Sequence, residues 1–115
     1  SIHRNFYQDS SKGGASQAGG GECWISNTRP SDATQLSNMI LVELNKLSLT
    51  KNRGVKCGTI NNANRNYRIN TSRCTSCIVE LGFITNSRDD ALVTTKKTEC
   101  AKAIADGIEG YLKSL

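Results

Sequence analysis

The chain predicts an α/β fold, a mostly parallel sheet flanked by helices on both sides, and three observations carry that prediction. Residues 76–81 form an almost unbroken apolar run with Cys77, Ile78, Val79 and Leu81, as a central strand covered on both faces requires. Two longer stretches, about 31–48 and 95–113, repeat apolar residues at helical spacing. Strand and helix patterns alternate along the chain, which favours a sheet wound with helices over an all-α or all-β domain. With 115 residues there is enough chain for one core and too little for two, so 1–115 is treated as part of a single domain.

Taken in order, Ile2 and His3 fit the carboxyl end of a strand that runs out into a loop. The chain opens at Ser1 with no Met and no apolar leader, so the beginning of that strand is expected to lie outside it. Residues 8–21 are rich in Gly, Ser and Ala and bury too little apolar surface to order strongly, which predicts a mobile surface loop. Residues 22–26, with Cys23, Trp24 and Ile25, make a short strand that stops at Asn27-Thr28-Arg29-Pro30. Ser31 then caps a helix, its hydroxyl accepting from a first-turn amide that has no partner. Leu36, Ile40, Leu44 and Leu47 mark that helix's core face.

Arg53-Gly54-Val55-Lys56 and the Asn-rich run to Asn66 predict a loop, and residues 67–70 a short strand. The central strand ends at Gly82. Asn86 or Ser87 caps a short helix through Asp89, Asp90, Ala91 and Leu92. The last helix places Cys100, Ala103, Ile104, Gly107, Ile108, Tyr111 and Leu112 on one core-facing side.

Composition narrows the partners. The net charge is +5 and the pI near 9.1, which suits a polyanion. The basic residues are nevertheless spread out, with no dense stripe and no interleaved aromatics, so no nucleic-acid partner is expected. No apolar run approaches the roughly 20 residues that span a bilayer, so a soluble chain with no membrane contact is expected. The five cysteines are an odd number, which excludes complete internal pairing, and most are expected as free thiols. Cys100 serves as a small hydrophobe. Cys74 and Cys77 have the spacing of a zinc or redox pair, but no second pair and no nearby His accompany them.

Two residues stand out as chemistry. His3, the single histidine, lies where a strand ends, and sites in open α/β sheets form outside strand ends. A loop-capping His is the plain alternative, and one imidazole does not by itself hold a catalytic zinc. Glu80 interrupts the apolar run, and a carboxylate there costs several kcal/mol unless a cation, a metal or a function accounts for it. It is either a structural ion pair with an arginine or a general base whose basicity burial has increased.

These residues also carry a resemblance. Ser1-Ile2-His3-Arg4-Asn5 and Val79-Glu80-Leu81-Gly82-Phe83-Ile84-Thr85-Asn86 resemble two signature segments of the zinc-dependent N-acetylmuramoyl-L-alanine amidases, bacterial cell-wall hydrolases. Gly21-Glu22-Cys23-Trp24, Arg53-Gly54-Val55-Lys56 and the helix from Ala101 to Leu112 are similar to further segments of that family, in the same order. The resemblance covers nearly the whole chain, and the segment around Glu80 is its most specific part.

The resemblance implies the C-terminal portion of an amidase catalytic domain that cuts the amide between N-acetylmuramic acid and L-alanine in peptidoglycan. It implies zinc as cofactor, His3 as one metal ligand, Glu80 as the catalytic carboxylate, and Asn5 and Glu22 as residues that line the cleft or orient the site. It also implies an extracellular or cell-wall location. The family's other His and its Glu ligand lie upstream of the segment that His3 matches, together with a strand and a helix, and this chain has neither. Its expected partner is therefore the missing N-terminal half, joined to it or supplied by another polypeptide, and the chain alone should bind zinc poorly. A non-catalytic wall-binding or regulatory fragment, and a zinc peptidase of the wall, stand as alternatives.

Overall fold

The computed structural model describes residues 1–7, 18–49 and 51–115. Four strands, β1 (Ile2–Asn5), β2 (Gly21–Ile25), β3 (Asn52–Cys57) and β4 (Ile78–Phe83), form one sheet in the order β1-β4-β2-β3. The β1–β4 and β2–β3 pairings are parallel and β2–β4 is antiparallel, so the sheet is mixed and mostly parallel. Three helices flank it: α1 (Ser31–Asn45), α2 (Ser87–Thr95) and α3 (Lys97–Lys113). This is the α/β class that the sequence predicts.

Side-chain alternation decides what each face of the sheet holds. Cys23 and Ile25 of β2 and Val79 and Leu81 of β4 point into the core cluster with Ile40, Leu41 and Leu44 of α1, Val93 of α2, and Cys100, Ala103 and Ile104 of α3. Ile40, Leu41 and Leu44 are almost free of solvent, and each stabilises the fold by about 1.5–3 kcal/mol. Helices α1 and α3 approach so closely that a Cβ on Gly107 would lie 2.5 Å from Ile40 Cα. All three helices thus feed one core on one face. Among the described residues the segment after β3 covers only the Trp24 end of the opposite face, where Tyr67 meets Trp24 edge to face at 5.9 Å, and the second helical layer expected there is not seen.

Several local expectations are corrected. Residues 53–56 are not loop but the middle of β3, an edge strand in which Val55 alone between half-buried Arg53 and Lys56 gives no apolar run to recognise. Residues 67–70 are not a strand: Arg68–Thr71 is a short 3-10 turn, because Asn70 is buried and donates to the Trp24 carbonyl at 3.0 Å while accepting from Ser76. Ser31 does not cap α1. Pro30 holds the cap position with no side-chain bond there, and Asp32 Oδ1 accepts from the Ala33 amide instead. The same helix ends at Asn45, short of residue 48, where Ser48 takes a left-handed φ of 65°.

The central strand does not stop at Gly82 but passes through it to Phe83. On α3, Cys100, Ala103, Ile104, Gly107 and Tyr111 are buried as expected, whereas Ile108 and Leu112 are exposed because the helix meets α1 along its Gly107 side. Asn86 caps α2, accepting from the Asp89 amide at 3.0 Å. The Gly/Ser-rich loop expected at 8–21 lies outside the described residues from 8 to 17, and Gly21 already belongs to β2. All five cysteines are free thiols, with Cys100 in the core cluster. No described helix is long and apolar enough to cross a membrane.

Candidate active site

Register brings the expected residues together. His3 is the direct partner of Glu80 across the parallel β1–β4 ladder, and Glu22 is the direct partner of Glu80 across the antiparallel β2–β4 ladder. Paired residues project from the same face, so three strands deliver His3, Glu80 and Glu22 as one row on the side opposite the helices.

Glu80 is half-buried, and its Oε2 has no hydrogen-bond partner among the described residues. Burial pushes its carboxyl up from the ordinary value; the neighbouring His3 pulls it back and Glu22 pushes it further up. The carboxylate therefore sits at the edge of solvent with a free acceptor oxygen and increased basicity. Of the two alternatives open at the sequence level, the ion pair is absent: no arginine bridges Glu80 among the described residues. His3 is exposed, with Nε2 2.8 Å from the Ser1 hydroxyl.

Glu22 is differently placed. It is 2% exposed, Asn5 Nδ2 donates to its Oε1 at 2.5 Å, and Arg53 Nε lies 3.6 Å from the same oxygen. Asn5 thus holds Glu22, which binds the carboxyl end of β1 to β2. Arg53 in turn stacks over the Phe83 ring, its guanidinium carbon 5.1 Å from the centroid, which adds a cation–π attraction. The sequence reading missed Arg53 because β3 was not recognised as a strand. The available signal was its position on a short segment beside Val55, opposite a strand that carries an acid.

Phe83 reaches this face because of Gly82. A φ of +69° at Gly82 resets the alternation of β4, and the β1–β4 register shifts in step, so that Asn5 pairs with Phe83. A Cβ at Gly82 would lie 2.9 Å from Asp89, whose buried Oδ2 accepts from the Phe83 amide at 2.9 Å and the Gly20 amide at 2.8 Å. Asp89, read from sequence only as a helix residue, therefore ties the end of β4 to the start of β2. Beside this network opens a cavity of about 360 Å³, lined by Asn5, Glu22, Trp24, Arg53, Lys56 and Phe83 among others.

No group of three or more His, Cys, Asp or Glu among the described residues is arranged to hold a metal. His3, next to the unpartnered Glu80 oxygen, offers one corner of such a site, while Glu22 is engaged by Asn5 and Arg53. Cys74 is exposed and Cys77 is buried in the core cluster, so the two thiols face different surroundings.

Residues 1–110 match the family model of N-acetylmuramoyl-L-alanine amidase. Among solved structures, the CwlD amidase from Clostridioides difficile, determined in complex with the GerS lipoprotein, shares 27% identity at a TM-score of 0.74, over 99% of this chain and 53% of that one. An N-acetylmuramoyl-L-alanine amidase from Clostridium difficile 630 is similar in fold, with a TM-score of 0.78 and 22% identity over 98% of this chain and 56% of its own. The amidase AmiC2 of Nostoc punctiforme gives 25% identity and a TM-score of 0.67 over 97% and 56%. No curated protein matches. The chain spans about half the length of these solved structures, and on the family match over nearly its whole length it belongs to the N-acetylmuramoyl-L-alanine amidase family.

Proposed function

We propose that this chain is the C-terminal part of one catalytic domain of a zinc-dependent N-acetylmuramoyl-L-alanine amidase, which hydrolyses the amide joining N-acetylmuramic acid to L-alanine in peptidoglycan. The observation that supports it most is the pairing of exposed His3 with Glu80, whose carboxylate is half-buried, made more basic by its surroundings and free at Oε2. Glu80 acts as general base: it takes the proton of the attacking water and, once protonated, returns it to the leaving amine. His3 contributes one imidazole to the metal, and the remaining ligands come from the other half of the domain. Zinc, when bound, lowers the pKa of a coordinated water and polarises the carbonyl to be attacked.

Asn5 and Glu22 support this centre through their mutual hydrogen bond, which fixes the strand end just beyond His3. The substrate places the working protein at the cell wall, outside the cytoplasm. The basic charge of the chain suits an anionic wall.

The deciding experiment digests purified peptidoglycan with the complete domain and identifies the new ends by mass spectrometry. Free L-alanine amino termini together with intact muramic acid support the reading. Cuts within the stem peptide would indicate a peptidase instead. Wall binding with no new ends would indicate a non-catalytic module.

A further inference from the structure

The cavity beside Glu22 has a chemistry of its own. Its walls are aromatic, from Phe6, Tyr7, Trp24 and Phe83, and its charged groups are one carboxylate, Glu22, and two cations, Arg53 and Lys56. Glu22 is 2% exposed, yet its Oε2 has no partner among the described residues. A buried acceptor left in this state carries a desolvation cost that a ligand N–H would recover. Arg53 approaches Glu22 only at 3.6 Å, beyond hydrogen-bond length, and its Nε likewise lacks a hydrogen-bond partner. Lys56 is half-buried and takes part in none of the ion pairs of the described residues. Two cations against one carboxylate leave the cavity net positive.

A neutral sugar would leave Lys56 without a counter-charge and the cavity's net positive charge uncompensated on burial, which opposes its binding here. A peptide meets every demand: an amide N–H for Glu22, a free carboxylate for Arg53 and Lys56, and aliphatic carbons for the rings. We infer that this cavity is a subsite for the peptide side of the substrate and grips a free carboxylate near the L-alanine residue with Arg53 and Lys56. The inference rests on the amidase reading for the identity of the peptide.

The test is binding to the complete domain stripped of metal, so it needs no catalysis. Three probes are titrated by calorimetry: the dipeptide L-alanyl-D-glutamate, the same dipeptide with its free carboxyls amidated, and chitotriose as a neutral sugar. The acidic dipeptide should bind about tenfold more tightly than its amide, the worth of one charge-assisted hydrogen bond. Lys56→Met and Arg53→Met should each erase that difference between acid and amide. If Arg53→Met fails to fold because Glu22 loses its cation, Lys56→Met carries the test, since Lys56 makes no ion pair among the described residues.

Equal affinity for acid and amide, absence of peptide binding at millimolar concentration, or displacement of the acidic dipeptide by chitotriose would each overturn the inference. So would displacement by a glycerol-phosphate polymer at lower concentration than the dipeptide, which would make the cavity a phosphate site. The digestion experiment reads the cut bond and this one reads affinity, so failure of either is seen separately.

Discussion

His3 and Glu80 are direct neighbours on parallel strands, facing the same side of the sheet, while Glu22 stands directly across from Glu80 on its other flank. Glu80 is thus held between a potential cation and a buried anion. Burial dominates this balance, and the carboxyl is lifted above its ordinary value.

The first prediction concerns stability against pH in the metal-free chain. A raised carboxyl pKa in the folded state gives stability that is fully present below the ordinary carboxylate range and lost as pH rises through the raised value. At neutral pH the charged Glu80 therefore opposes folding. Glu80→Gln keeps the shape and removes the charge, so it should raise the urea midpoint near pH 7 and leave it almost unchanged near roughly pH 3.5, below the ordinary carboxylate range. Identical midpoints at pH 7 would contradict the account.

In the complete domain the same substitution should lower kcat by about a hundredfold or more, the usual worth of a positioned general base, while zinc content stays unchanged. Near-normal hydrolysis would remove Glu80 from the chemistry.

Asn5 is predicted to act through Glu22. Asn5→Ala deletes a hydrogen bond to a buried carboxylate and should cost about 2 kcal/mol of unfolding free energy, measured by denaturant titration. Asn5→Asp should be worse, since it sets a second acid against Glu22. If Asn5→Ala unfolds at the wild-type midpoint, the contact contributes nothing to the fold.

Two glycines of α3 should behave oppositely. Gly107→Ala drives a methyl into the Ile40 backbone, 2.5 Å from its Cα, and should destabilise by about 1–3 kcal/mol as α1 and α3 are forced apart. Gly110→Ala meets only the end of the Met39 side chain at 3.0 Å, which swings aside, so the gain in helix propensity should stabilise by up to about 1 kcal/mol. Thermal melts of the two variants compare them directly.

Thiol labelling should follow exposure. Cys74 is exposed, whereas Cys23, Cys77 and Cys100 are buried, and burial raises the Cys100 thiol. Hydrogen bonding from Cys23 holds Cys77 down to about 7 while Cys23 itself is driven up. Limiting iodoacetamide followed by peptide mapping should find Cys74 modified first, and Cys23 and Cys100 modified only after unfolding. Early labelling of Cys100 would mean that α3 opens readily.

What was legible in the sequence is what local pattern encodes. The apolar run around Glu80, the helical repeats of Ile40 with Leu44 and of Cys100 with Ala103 and Ile104, and the Asn86 cap are short-range features. Helix and strand period fixes them, and they came out in place. His3 and Glu80 were legible as unusual residues for the same reason: each departs from the pattern around it.

Tertiary structure decided the rest. Edge strand β3 carries no apolar run because only half of each side chain is covered, so only its pairing with β2 defines it. The antiparallel β2–β4 register, which no local pattern records, sets Glu22 against Glu80. The left-handed turn at Gly82 sends Phe83 to the face where Arg53 stacks on it. The sequence by itself determined which segments are helix or central strand and which two residues are chemically out of place, since those depend on near neighbours. Only the fold determined which distant side chains share a face, since strand register is set by packing between segments far apart in the chain.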